Sequence, residues 1–206
     1  MKGKTKMRVS YKSFCAPVIF LLAVSSPALA QGIAAGSVEA AGTFGYAHVD
    51  GVTSNNHFAF GGSGLYNFNQ VVAAGFEYSY TPLGSETISG VSASEHLQTY
   101  GGVARFSFSD SSSVVPYALV GFGGANEKAV ASFEGVSASA GQSGYYFAFG
   151  GGATIFVGPR WGIRPEFRFE RQQFGAGYQL ASFGQNDIQG LVSVFYQFGG
   201  RQSQKH

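Results

Sequence analysis

Between Ile163 and Glu170 the chain alternates strictly between apolar and charged side chains. Ile163, Pro165, Phe167 and Phe169 share one parity; Arg164, Glu166, Arg168 and Glu170 share the other. Successive residues of a strand point to opposite faces, so the segment reads as a strand with one apolar face and one fully charged face. A helix would not separate the sets this way, and a soluble core does not accept a row of four charges on its buried side. Because the charges alternate in sign, they can neutralise one another if they point inward together.

The same period of two recurs along the chain. It predicts eight strands, at 38–49, 57–67, 70–81, 96–108, 113–126, 144–157, 161–172 and 186–198. In the last, Ile188, Gly190, Val192, Val194, Tyr196 and Phe198 share a face, while Gln189, Ser193 and Gln197 share the other with Leu191 and Phe195 as exceptions. In the third, Val72, Ala74, Phe76, Tyr78 and Tyr80 oppose Glu77 and Ser79; in the fourth, Tyr100, Phe106 and Phe108 oppose Thr99, Arg105 and Ser107. The fifth and sixth strands are glycine-rich and their facing stays open.

The connections sort by length. Asn67–Gln70, Ser109–Ser112 and Val157–Arg160 are short, whereas Pro82–Glu95, Glu127–Ser143 and Gly175–Gln185 are long. Asp50–Asn56 is shorter but lies on the side of the long ones. An even strand number puts all short turns at one rim and all long loops at the other, as in outer-membrane barrels.

The first thirty residues read as an export signal rather than as fold. Lys2, Lys4, Lys6, Arg8 and Lys12 precede an apolar run from Phe14 to Val24, and Ala28-Leu29-Ala30 follows. That order is a secretory signal peptide with cleavage expected after Ala30. The run is shorter than the about 20 residues of a membrane helix. Losing these five of 13 basic residues leaves eight against 11 acidic residues, a net charge of −3. The basic balance of the whole chain therefore gives no ground for nucleic-acid binding. Cys15, the sole cysteine, leaves with the signal, which excludes disulfides and thiolate chemistry in the mature chain. Only 12% of residues are charged, against about a quarter in soluble domains, yet no later segment is a greasy run.

These observations predict an all-β fold, an eight-stranded antiparallel transmembrane β-barrel of the up-and-down type. Residues 1–30 would be the signal, 31–199 the barrel and 200–206 a short polar tail. Hydrocarbon leaves backbone groups unsatisfied, so strands in it must close on themselves, with apolar side chains toward lipid and polar ones in the lumen. Glu77, Arg105, Arg164, Glu166, Arg168 and Glu170, with Glu39, are expected to pair inside as a charged plug, since an eight-stranded barrel is just wide enough for side chains. Tyr46, Tyr66, Phe68, Tyr78, Tyr80, Phe108, Tyr117, Trp161, Tyr196 and Phe198 lie near strand ends and are expected to form interfacial girdles.

Several segments resemble the OmpA-type, OmpX-like family of small outer-membrane barrels. They are Val115-Pro116-Tyr117-Ala118 leading to Gly121-Phe122-Gly123, Phe149-Gly150-Gly151-Gly152-Ala153, Arg164-Pro165-Glu166-Phe167-Arg168, and the ending Val194-Phe195-Tyr196-Gln197-Phe198. The resemblance covers roughly residues 37–199. It implies insertion by the outer-membrane assembly machinery, with Val194, Tyr196 and Phe198 in the aromatic-ended last strand as the signal. Outer-membrane lipids and lipopolysaccharide are the other expected partners, and the chain is expected to act as a monomer.

No catalytic, cofactor or metal site is expected. His48, His57 and His96 lie near the outer rim without the spacing of a metal motif. Gly61-Gly62-Ser63-Gly64 and Gly121-Phe122-Gly123-Gly124 lie within strands, with no following helix to cradle a phosphate. Ser85, Ser89 and His96 would suit a lipid-modifying enzyme at the outer rim, but no spacing singles them out. The leading expectation is a structural or surface-interaction protein with its loops outside. The alternatives are a narrow channel or solute transporter and, after that, the enzyme.

Overall fold

The computed structural model describes residues 32–49, 56–88, 91–108, 113–133, 136–175 and 183–201. The expected signal at 1–30 and residues 202–206 of the expected tail lie outside them. Eight strands follow in order: β1 (Ala35–Val49), β2 (Asn56–Asn67), β3 (Val72–Ile88), β4 (Val91–Ser107), β5 (Val114–Phe133), β6 (Val136–Phe156), β7 (Trp161–Phe174) and β8 (Phe183–Arg201). Each pairs antiparallel with the next, and β8 returns to β1, so the sheet is a closed barrel.

Closure runs through the last strand as its face pattern requires. Val38 lies opposite Phe198 and Phe44 opposite Val192. β8 continues past Phe198 to Arg201 because β1 starts at Ala35 and offers Ser37 and Ala35 as partners for Gly199 and Arg201. Part of the segment assigned to the tail is thus strand.

The two faces of the sheet are sorted by polarity in the inverted sense. Phe44, Phe58, Phe76, Phe122, Phe147, Phe149 and Phe167 are exposed outward, while Glu39, Arg105, Arg164 and Glu170 are buried inward. The glycine-rich strands resolve the same way: Val120 and Phe122 of β5 and Tyr145, Phe147 and Phe149 of β6 face out, while Tyr117, Leu119, Tyr146, Ala148 and Thr154 are buried. Gly101 of β4 and Gly123 of β5 lie directly opposite each other. A Cβ on Gly123 would meet the Tyr100 carbonyl oxygen at 2.1 Å, so no larger residue fits without moving backbone.

The lumen is filled in layers. An apolar group including Val49, Leu83, Leu97 and Phe174 closes the end bearing the long hairpins. Ile33, just before β1, packs with Val115, Phe156 and Phe195 at the opposite end. The polar residues lie between.

Two of the expected long loops are not loops. β3 and β4 stay paired to Ile88 opposite Val91, and β5 and β6 to Phe133 opposite Val136. Only two residues separate the strands of each hairpin. β4 and β5 also pair out to Ser92 opposite Ser132, joining both hairpins into a four-stranded sheet.

Candidate functional site

The charged ladder of β7 organises the lumen. Arg164 and Arg168 project inward because they share the parity opposite Ile163, Phe167 and Phe169. Glu39 of β1 lies between two guanidinium groups. Arg105 donates to both of its carboxylate oxygens, at 3.0 and 3.1 Å, and Arg164 donates to Oε1 at 2.6 Å. Arg105 also donates to Asn67 Oδ1 at 3.0 Å, and Asn67 in turn donates to Ser37 Oγ at 2.9 Å. Arg164 stacks over the Phe195 ring, 4.8 Å from its centroid, and donates to Thr154 Oγ1 at 3.3 Å.

Arg168 builds the second cluster. It grips Glu77 with two bonds, 2.7 and 3.0 Å, and reaches Glu166 Oε1 at 2.8 Å. Tyr117 donates to Glu166 Oε2 at 2.7 Å, and Tyr146 to Glu77 Oε1 at 3.3 Å. Three arginines thus meet three glutamates, each pair charge-assisted and out of water. Tyr117→Phe should cost about 1.5 kcal/mol, because a buried carboxylate oxygen loses its donor. Urea unfolding of the refolded barrel in detergent micelles measures it.

Of the residues expected to form the plug, Glu77, Arg105, Arg164, Glu166 and Arg168 come together, with Glu39 at the centre. Glu170 does not join them. It accepts from Gln172 Nε2 at 2.8 Å and lies across from Asp187 of β8. Sequence reasoning did not single out Asp187 or Gln172, although both share the inward parity of their strands. Tyr117, expected at the lipid interface, is 3% exposed and faces the lumen, since β5 turns Val115, Tyr117 and Leu119 inward together. Its hydroxyl is satisfied by Glu166 rather than by lipid headgroups. Val194, Tyr196 and Phe198 all face outward on β8. Among the described residues, no group of three or more His, Cys, Asp or Glu side chains could hold a metal. His96 stacks on the Tyr80 ring, 5.2 Å between centroids, and His48 Nδ1 lies 3.0 Å from Asn56 Oδ1.

A second region stands above the barrel. β2 pairs with β3 only as far as Phe60 opposite Tyr80, and β7 meets β6 only from Phe174 opposite Gly144. Past those points, and past a further bond from Gly175 N–H to the Ser143 carbonyl, neither edge of the β3–β6 sheet is paired among the described residues. The β3 edge is broken by a register shift at Pro82–Gly84. The β6 edge, residues 136–142, contains neither proline nor charge. Both faces of the hairpin ends are exposed, from Val91 to Ser94 and from Val136 to Gly141.

In the outer sheet two carboxyl groups meet. Glu127 of β5 hydrogen-bonds Glu95 of β4 and accepts from Gln142 Nε2 at 3.1 Å. Burial, then the Glu95 carboxyl, push the Glu127 pKa up to about 7. A carboxyl whose folded pKa is raised contributes stability at low pH, lost as pH rises from about 4.5 toward 7. Amide exchange in the outer parts of β4 and β5, corrected for intrinsic rates, should therefore be slower at pH 5 than at pH 8. Glu127→Gln should flatten that difference.

The family described as outer membrane protein beta-barrel domain matches residues 16–198. Among solved structures, Neisserial surface protein A aligns with TM-score 0.61 at 16% identity, covering 81% of this chain and 99% of that one. The attachment invasion locus protein Ail of Yersinia pestis aligns with TM-score 0.56 at 17% identity, covering 80% and 99%. Ail was also solved with the heparin analogue sucrose octasulfate, TM-score 0.57 at 16% identity, covering 80% and 99%. No curated protein matches the chain by sequence.

Proposed function

The chain belongs to the outer membrane protein beta-barrel family and resides in the outer membrane, and on that premise we propose that it is a surface-interaction protein whose barrel is a closed anchor. The outer β3–β6 sheet is the interacting part. The single observation that carries this reading is the β6 edge at 136–142, unpaired among the described residues. Exposed strand edges add extended segments of other proteins through main-chain hydrogen bonds, and proteins that avoid this place charges, proline or bulges there. The β3 edge has such protection; the β6 edge has none.

The partner's chemistry is an extended protein segment rather than a sulfated polyanion of the kind bound by Ail. Among the residues of the outer β4–β6 hairpins, Lys128 is outnumbered by Glu95 and Glu127. A conducting role fits poorly with a lumen whose cavity beside Glu77, Arg105 and Arg164 is about 40 Å³, room for a few waters.

The test uses cells displaying the protein. Their adhesion to immobilised extracellular proteins should fall to background with Ser137→Lys plus Ser139→Lys, which places charge on the β6 edge. The barrel should remain folded in that variant. Unchanged adhesion, or steady conductance of the wild-type protein in planar bilayers, would contradict the reading.

A further inference from the structure

We propose that residues 33–37 form a latch that folds into the periplasmic mouth of the barrel and seals the charged lumen from that side. The short turns mark that mouth, and β1 enters the wall there. A strand end would ordinarily run on past the rim into water. Here Ser37 N–H bonds back to the Ala34 carbonyl oxygen at 3.2 Å, and the Ser37 hydroxyl donates to the same oxygen at 2.6 Å. Gly36 is the third residue of this four-residue turn and has φ 73°, a conformation for which that position favours glycine. The turn sends Ala34 and Ile33 back inside, where both are buried. β8 leaves space for it, since a Cβ on Gly200 would lie 2.9 Å from the Ala34 Cβ and 2.8 Å from the Ser37 Cβ.

The burial of the rim shows what the latch covers. Asn67 and Ser107 end β2 and β4, Val115 is the second residue of β5, and Phe156 ends β6. An open mouth would wet these inward side chains, yet none is more than 5% exposed. Ile33 packs with Val115, Phe156 and Phe195. The Phe156 and Phe195 rings meet edge-on, 5.5 Å between centroids, and Arg164 lies over the Phe195 ring. One layer of apolar side chains thus separates the Arg164–Glu39 pair from the periplasm. The turn is also tied to the network it covers, because Asn67 donates to Ser37 and accepts from Arg105. Ile33 precedes β1, and neither it nor Gly36 pairs across to a neighbouring strand. The latch can therefore open locally while the eight strands stay paired. The apolar layer that includes Val49, Leu83, Leu97 and Phe174 closes the other end, so unlatching yields a pit facing the periplasm and not a pore.

A thiol placed under the latch tests this. Chain carrying Cys15→Ser and Val115→Cys is extracted with detergent from outer membranes and treated with a methanethiosulfonate reagent bearing an ammonium group. With the latch intact, Val115→Cys should react slowly. Ile33→Asp, which puts a charge into the apolar floor, should speed labelling about 100-fold, and Gly36→Val, which strains the turn without touching the floor, should speed it too. Both variants should keep the heat-dependent gel shift of a closed barrel, and neither should conduct ions in planar bilayers. Equal labelling rates with and without the latch substitutions overturn the proposal. So does fast labelling of the intact chain, or conductance through the Ile33→Asp variant. Loss of the gel shift in both variants overturns it as well, since the segment would then be part of the barrel's fold and not a latch upon it.

Discussion

Replacing Glu39 by alanine is expected to destabilise the barrel by about 3–5 kcal/mol. Glu39 is the one acceptor that Arg105 and Arg164 share, and all three side chains are nearly inaccessible. Removing it leaves two buried guanidinium groups facing each other with Asn67 and Thr154 as their remaining hydrogen-bond acceptors among the described residues. The cost is that of stranded charge, not of a lost contact, so it exceeds the value of an ion pair at a surface. Glu39→Gln keeps an oxygen acceptor and the shape, and should recover part of the loss. Urea titration of the refolded protein in lipid vesicles reads both. A loss under about 1 kcal/mol for Glu39→Ala would mean that water reaches the arginines, and would reopen the channel reading.

The second large effect lies on the opposite face. Phe44 is 57% exposed near the middle of β1, flanked by Phe60 on β2 and Val192 on β8. Phe44→Arg should cost about 2–4 kcal/mol if that face meets hydrocarbon, since a charge at the bilayer midplane carries that penalty. On a barrel in water the same change would be neutral or would improve solubility. The two substitutions thus probe the two faces: taking a charge out of the inside and putting one on the outside are both destructive.

The legible parts of the fold are those where the two faces differ most in chemistry. β7 and β8 alternate charged or amide residues with aromatic and branched ones, and their facing could be read residue by residue. The ladder identified Arg164, Glu166 and Arg168 and sent them inward, and the parity of Glu77 and Arg105 followed. What could not be read was partner choice. Glu170 looks like one more rung of the ladder, and its separation from the arginines depends on Asp187, whose place opposite it is set by the β7–β8 register. Tyr117 was misplaced because β5 is apolar on both parities around it, with Val115 and Leu119 on its own face and Pro116, Ala118 and Val120 on the other, so no alternation fixes the facing there.

The outer hairpins failed for a related reason. Their Ser, Ala and Gly residues meet water on both sides, so no period of two distinguishes strand from loop there. A different signal was present. Gly-Val-Ser-Ala-Ser occurs at 90–94 and again at 135–139, each time where a second strand begins. The repeat marks the start of the returning strand in two similar hairpins.

Heat-modifiable migration tests the central claim most directly. Chain extracted with detergent from outer membranes, run on a gel unheated and after boiling, should give a compact fast band that converts to the full-mass position on heating. The Glu39→Ala variant should convert at a lower temperature. Recovery of the protein in the periplasm without detergent, or a single band indifferent to heating, would contradict a closed barrel whose charges face inward and whose aromatic rings face lipid.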